Sequence, residues 1–209
     1  MNIVVAIDPS LSHTGLCRFV DGQEQATSSV LTLPDGSWPA RLAILRDQVQ
    51  LFLLRGVPAD ANLLVTMESQ VWSHNPSVYA ADAAVYGVLQ LIIWETFKQR
   101  ERCVVRPPTG SSRFLSVNPQ QVKKWLGAKE KAEVLLRVYK LYGREFRDHN
   151  EADAYTLAVI GCKFLKHLGT GVPPIECTKA QAEVLEKLTE VGLPWEAQLE
   201  PKKRRQKKA

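Results

Sequence analysis

The chain has 209 residues and is 45% hydrophobic, which suffices for the core of one ordinary domain or two very small ones and excludes disorder over most of its length. Its formal charge of +5 is segregated: residues 98–147 hold 13 basic and four acidic residues, residues 201–209 hold six basic residues and no acid, and the remainder carries eight basic and 18 acidic residues. This distribution favours a polyanionic partner and excludes a uniformly basic coating protein.

The first part of the chain reads as strands that end in acids. Residues 2–7 are a continuous apolar, β-branched run, which is typical of a strand buried on both faces at the centre of a sheet, and the run ends at Asp8. The apolar run at 62–67 repeats this pattern and ends at Glu68. Between the two runs, the sequence predicts three further elements: strands over 15–20 and 26–33, and an amphipathic helix over 38–54.

The second part is predicted to be mainly helical. Residues 77–97 predict a long buried helix, and residues 102–106 and 114–117 predict two partner strands joined by a proline-containing loop. The Asn118–Pro119 pair predicts a helix start. The remaining predictions are a helix over 129–142 with Val134, Val138 and Leu141 on one face, a last core helix from about Asn150, and a short helix over 180–191.

Three acids stand out by position: Asp8 and Glu68 after buried strands, and Asp153 in the first turn of the last core helix. Each alone has an ordinary alternative, as a turn former, a surface acid or a helix-terminal acid that favours the helix dipole. Together, two carboxylates leaving central strands without basic neighbours need a counter-charge. A hard divalent cation with oxygen ligands supplies it.

Four segments in this order carry a resemblance to a known family: IDPSLSHTG (7–15), MESQ (67–70), VKKWLGAKEKAEV (122–134) and NEADAYTLA (150–158). They resemble the RuvC family of Holliday junction resolvases over about residues 3–166, and most of all its phage-type members. The resemblance implies an α/β, RNase H-like fold whose mixed central sheet has three antiparallel strands followed by parallel strands, flanked by helices. It also implies a nuclease domain over 1–168. Beyond this domain, the polar composition predicts an extension with one short helix over 169–200 and a basic tail over 201–209 that is expected to be disordered.

Transferred position by position, the resemblance makes Asp8, Glu68 and Asp153 metal ligands and catalytic residues. The family usually has Asp or His three residues before the last acid, whereas this chain has Asn150. An Asn amide oxygen can still ligate Mg²⁺, but it removes one negative charge. The fourth ligand therefore stays open among Asn150, His149, Asp148 and Glu151, and helical spacing places Glu151 on a different face from Asp153.

The implied cofactor is Mg²⁺, with two ions per site roughly 4 Å apart and Mn²⁺ as a substitute. The implied reaction is phosphodiester hydrolysis that leaves a 5′-phosphate. Lys131 matches a family lysine that meets the strained phosphate and is assigned a catalytic role, although a solvated helical face is the alternative. The candidate DNA-binding residues are Lys123, Lys124, Lys129, Lys131, Arg106, Arg113 and Trp72. Trp72 has two roles open to it, stacking on a base at the junction centre or packing in a dimer contact or core.

The expected partners are branched DNA, especially four-way junctions, and a second copy of the chain, because a twofold homodimer supplies two sites for paired nicks. No membrane and no nucleotide cofactor are expected. Cys17, Cys103, Cys162 and Cys177 show no metal-site spacing, and the N-terminus lacks a basic segment typical of a signal peptide, so reduced thiols in a cytoplasmic protein are expected. Three rivals remain: an actin-like or sugar-kinase-like ATPase, a catalytically silent DNA-binding protein, and a nuclease for branched or replicating DNA in general.

Overall fold

A computed structural model describes residues 1–21, 26–70, 74–102 and 112–188. Within these ranges the chain forms an α/β fold of five strands, six α-helices and one 3₁₀ turn. The strands are β1 (Asn2–Asp8), β2 (His13–Val20), β3 (Thr27–Thr32), β4 (Asn62–Glu68) and β5 (Ser112–Val117). The helices are α1 (Trp38–Leu54), α2 (Pro76–Arg102), α3 (Pro119–Leu126), α4 (Val134–Tyr142), α5 (His149–Thr170) and α6 (Lys179–Lys187), with a 3₁₀ turn at Lys131–Glu133.

The five described strands form one mixed sheet in the order β3-β2-β1-β4-β5. The pairs β1–β2 and β2–β3 are antiparallel, and the pairs β1–β4 and β4–β5 are parallel. This arrangement confirms the predicted fold class. It places β1 and β4 at the centre, where their apolar runs are covered on both faces.

Helices cover both faces of the sheet. Side chains alternate along each strand, so successive residues of β1 face different helices. Val4 and Ala6 of β1 lie in a core with α3, α4, α5 and α6. Ile3, Val5 and Ile7 of the same strand lie in a second core with α1 and α2. The sheet is therefore the middle layer of three.

The helix α5 approaches the sheet very closely. A Cβ atom on Gly161 would lie 2.7 Å from the Val4 Cγ1 and Thr66 Cγ2 atoms. The Thr66 hydroxyl also donates to the backbone carbonyl of Leu157 at 3.3 Å. The absence of a side chain at Gly161 thus lets the helix seat directly on the two central strands.

Several predicted elements differ from the structure. The predicted strand over 102–106 does not begin at Arg102, which belongs to α2, and its other residues lie outside the described ranges. The strand β5 pairs in parallel with β4. In the predicted helix over 129–142, the Glu133 carboxylate accepts from the Lys129 backbone N–H at 2.8 Å, so a separate turn precedes α4. Leu141 of α4 is exposed, whereas Val134 and Val138 are buried as predicted.

The helix α2 is long and rich in apolar residues. By length and hydropathy, Pro76–Glu101 could cross a membrane, a test that core helices of soluble proteins also pass. One of its faces, which includes Val85, Leu89, Ile92 and Ile93, is buried in the core that it shares with α1. The helix therefore contributes directly to the packing of the domain.

Candidate functional site

The sheet brings Asp8 and Glu68 side by side. The parallel register pairs Ile7 with Met67, so the next residues of the two strands meet at the same edge. Both acids alternate in phase with Ala6 and Leu64, which face α5, and therefore project toward that helix. The charge of Glu68 raises the pKa of Asp8, so the two carboxyl groups lie close to each other.

The third acid arrives on the first turns of α5. Gly15 pairs with Asp8 across β1 and β2, and a Cβ atom on Gly15 would lie only 2.0 Å from the Asn150 carbonyl oxygen and 3.1 Å from the Ala154 Cβ atom. The N-terminal end of α5 therefore lies against β2 directly beside Asp8. Asp153 is close enough there for its charge to raise the pKa of both Asp8 and Glu68.

Burial and mutual repulsion make this cluster difficult to ionise fully. Asp8 is 6% exposed, and its pKa is raised well above its ordinary value by desolvation and then by the charges of Glu68 and Asp153. Desolvation and the Asp153 charge raise the pKa of Glu68 to about 7. Desolvation also raises the pKa of Asp153. The three carboxyl groups thus form an acid cluster that lacks sufficient positive charge.

Two predicted lysines lie close to the acid cluster. The charge of Lys131, in the 3₁₀ turn, lowers the pKa of Asp8, Glu68 and Asp153, and the charge of Lys123, on α3, lowers the pKa of Glu68 and Asp153. Lys131 is exposed, so its ammonium group is accessible from solvent. The structure therefore places both lysines near the acids.

The other candidate DNA-binding residues are placed differently. The Lys124 ammonium group pairs with the Glu183 carboxylate of α6 at 2.5 Å. Lys129 is exposed beside the 3₁₀ turn, and Arg113 is a partly buried residue of β5. Trp72 and Arg106 lie outside the described residues.

The structure gives distinct surroundings to three of the four candidates for the remaining ligand. Asp148 is the N-cap of α5, since its carboxylate accepts from the backbone N–H of Asn150 at 2.7 Å and of Glu151 at 3.4 Å. Glu151 accepts from the Ser28 hydroxyl at 2.6 Å and faces β3, which agrees with the helical spacing. His149 is near enough to Asp153 to lower the pKa of that acid. Its Nδ1 atom is buried and has no hydrogen-bond partner among the described residues.

Sequence reasoning missed Tyr86 of α2. Desolvation raises its pKa first, and the charges of Glu68 and Asp8 raise it further, which places its hydroxyl near the acid cluster. Tyr86 lies in a long apolar helix whose pattern predicted only packing. The helical spacing from Asp82, four residues earlier, is the one local signal that marks this face as polar.

The donor chemistry of the acid cluster fits a hard divalent cation. Carboxylate oxygens are the ligands that Mg²⁺ takes in proteins. A cation would offset the burial that raises the three pKa values, and the repulsion that raises those of Asp8 and Glu68 further. Within the described ranges, no three His, Cys, Asp or Glu side chains stand in a ready-made ligand arrangement.

No protein-family model matches the chain, and no curated protein matches it in sequence. Its fold is similar to solved structures of RuvC from Thermus thermophilus. The structure in complex with a Holliday junction substrate is 21% identical, has a TM-score of 0.57, and covers 76% of this chain and 91% of its own. Another structure of that protein is 22% identical, has the same TM-score of 0.57, and covers 80% of this chain and 97% of its own. The chain therefore has an α/β, RNase H-like fold of the kind found in RuvC.

Proposed function

We propose that this protein is a Mg²⁺-dependent, structure-selective DNA endonuclease that resolves four-way junctions by paired nicks and leaves 5′-phosphates. The observation that carries the proposal is the acid cluster of Asp8, Glu68 and Asp153, with Lys131 and Lys123 beside it, on a RuvC-like fold. The similar structure holds a Holliday junction substrate, which supports branched DNA as the ligand class.

In this proposal the three carboxylates hold the metal. Asp8 and Glu68 bind from the ends of the central strands, and Asp153 binds from α5. Bound Mg²⁺ supplies Lewis-acid stabilisation of the charge that develops on the phosphate oxygens. The rigid sheet and the close contact between Gly15 and α5 hold the carboxylates in place before the substrate arrives.

The lysines contribute attraction and orientation. Lys131 and Lys123 place positive charge beside the acids and would draw a scissile phosphate toward them. Such contacts fix the backbone of the substrate without reading its bases. Selectivity for a junction therefore has to come from the shape of the branched DNA and from the geometry of two sites acting together.

A twofold homodimer provides those two sites. A symmetric pair of sites matches the two equivalent strands of a four-way junction. We place this activity in the cytoplasm of the cell in which the DNA is processed.

The test is cleavage of an end-labelled synthetic four-way junction, beside duplex and flap substrates, in Mg²⁺ and in EDTA. The proposal predicts paired nicks in the junction with Mg²⁺, none in EDTA, and a rate loss of more than about 100-fold for Asp8→Asn, as expected when a direct metal ligand is lost. Asp47→Asn, on the exposed surface of α1, is the matched control. Equal cleavage by wild type and Asp8→Asn would refute the assignment, and equal cleavage of flaps would favour a general branched-DNA nuclease.

A second candidate, a DNA-binding protein without nuclease activity, is favoured by one observation. Asn150 occupies the position at which the resembled family usually has an acid or histidine, so the site carries one negative charge fewer than in members with an acid there. The same assay separates the candidates. Junction binding by wild type without any cleavage in Mg²⁺ or Mn²⁺ would establish the second.

A further inference from the structure

A groove lies between β3 and α1, on the face of the sheet away from the acid cluster. Its volume is about 580 Å³, its floor is formed by Leu16 and Arg18 of β2, and its walls include Leu31 of β3 and Phe52 of α1. Arg18 pairs with Val5 in the sheet, three residues before Asp8, and both side chains face the α1 side. The groove is therefore separate from the proposed nuclease site.

The charged groups of the groove are all positive. Arg18 and Arg55 line it, and no Asp or Glu of the described residues does. The Arg18 Nη1 atom donates to the Arg55 carbonyl oxygen at 2.6 Å, and the guanidinium carbon lies 4.6 Å from the centre of the Phe52 ring. The Arg18 Nε and Nη2 atoms are buried and have no hydrogen-bond partner in the described part of the chain.

Unsatisfied buried donors cost free energy, and a carboxylate is a planar acceptor that a guanidinium binds with two parallel hydrogen bonds. Burial and the nearby Arg55 charge lower the pKa of Arg18, which is the direction expected for a cation without an anionic partner. The Phe52 ring lies over the face of the guanidinium, whereas an acceptor for the buried Nε and Nη2 atoms binds in its plane, so the wall of the groove beside that edge has to open. Phe52 is only partly buried, and the neighbouring Leu51 is 54% exposed, so this wall of the groove can yield.

The other wall is an open sheet edge. β3 pairs with β2 on one side, and no strand of the described residues pairs with its other side. Thr27, Ser29 and Leu31 alternate toward the groove, in register with Arg18, Leu16 and Thr14 of β2. A strand edge with unpaired backbone groups is a template for an added strand, and the adjacent groove offers pockets for its alternate side chains.

We propose that this groove binds an extended peptide segment of a partner protein, which adds as a strand to β3 and places an acidic side chain on Arg18 and apolar side chains against Leu31, Leu51 and Phe52. The positive charge of the groove favours an acidic ligand. Its apolar walls favour a peptide over DNA, because the DNA backbone presents phosphates and no apolar groups that could pack against these walls. This site is independent of the proposed nuclease function.

The probe is a fluorescein-labelled octapeptide of alternating valine and glutamate, and its control has lysine in place of glutamate. Binding to the full chain is measured by fluorescence anisotropy at physiological ionic strength. The variants are Arg18→Gln, which removes the buried guanidinium, and Leu51→Glu, which places a negative charge at the exposed rim and leaves the core intact. Arg46→Gln is the matched control, because Arg46 lies on the exposed surface of α1 and pairs there with Asp47.

We expect the glutamate peptide to bind at least about 10-fold more tightly than the lysine peptide, and each groove variant to weaken that binding by at least about 10-fold, with Arg46→Gln unchanged. If Arg18→Gln fails to fold, Leu51→Glu still decides the question. Three results would overturn the proposal. They are equal binding of the two peptides, unchanged peptide binding by Leu51→Glu, or no peptide binding together with an altered sedimentation coefficient for Leu51→Glu, which would assign the groove to a second copy of the chain.

Discussion

Glu68 gives a quantitative test of the acid cluster in the absence of metal. Its pKa rises from an ordinary value of 4.5 to about 7 in the folded protein, which corresponds to at most about 3 kcal/mol of stability. The folded state then binds its proton more tightly than the unfolded state does, so this contribution is present below pH 4.5 and is lost as the pH rises through about 7. Glu68→Gln has no carboxyl group to ionise at this position, so it keeps the stability that wild type loses. We therefore expect the variant to be more stable than wild type above pH 7.

The assay is urea unfolding of both proteins in EDTA, followed by tryptophan fluorescence on either side of the transition. The two proteins should have similar free energies of unfolding below pH 4.5 and differ above pH 7, with the variant more stable by up to about 3 kcal/mol. Asp47→Asn, an exposed acid of α1, serves as the control and should follow wild type. If Glu68→Gln were no more stable than wild type above pH 7, the argument that burial and neighbouring carboxylates destabilise the ionised cluster would be refuted.

Further predictions concern Lys131, the close contact of Gly15 with α5, and the Asp148 cap of α5. Lys131→Gln should slow junction cleavage by at least about 10-fold, because it removes the cation whose charge acts on all three acids, whereas Lys98→Gln on α2 should not. Gly15→Ala should cost about 2 kcal/mol or more in urea unfolding, since its Cβ atom would lie 2.0 Å from a carbonyl oxygen of α5, and Gly169→Ala, with no atom within 4 Å, should be tolerated. Asp148→Ala should lower the free energy of unfolding by about 1 kcal/mol through loss of the α5 cap. Asp148→Asn should keep most of that stability in the same measurement, because Asn is also a good capping residue.

The sequence alone predicted the elements that are set by neighbouring residues along the chain, such as apolar runs and helix caps. The apolar runs that became β1 and β4 end within one residue of the predicted positions, and the predicted helix over 38–54 matches α1. The start of α3 was also predictable, since Asn118 caps the helix and Pro119 occupies its first position. The same apolar runs identified Asp8 and Glu68 as candidate site residues, because each acid stands directly after a run.

Other features depend on contacts between distant residues. The helix α2 extends past the predicted end at 97, and near its terminus Arg100 donates to the carbonyl oxygens of Pro58, Ala59 and Ala61. The cap of α5 is Asp148, although Asn150 is also a good capping residue, and Gly15 lies directly against the Asn150 carbonyl group. The approach of Tyr86 to the acids likewise depends on tertiary packing.

The most direct test of the proposed nuclease compares two acids on the same helix. Asp153 lies in the acid cluster, whereas Glu151, two residues earlier, is hydrogen-bonded to Ser28 on the β3 side. Cleavage of a four-way junction in Mg²⁺ should fall by more than about 100-fold for Asp153→Asn and remain close to wild type for Glu151→Gln. Equal activity of Asp153→Asn and wild type, or equal losses for the two variants, would contradict a catalytic acid cluster at this edge of the sheet.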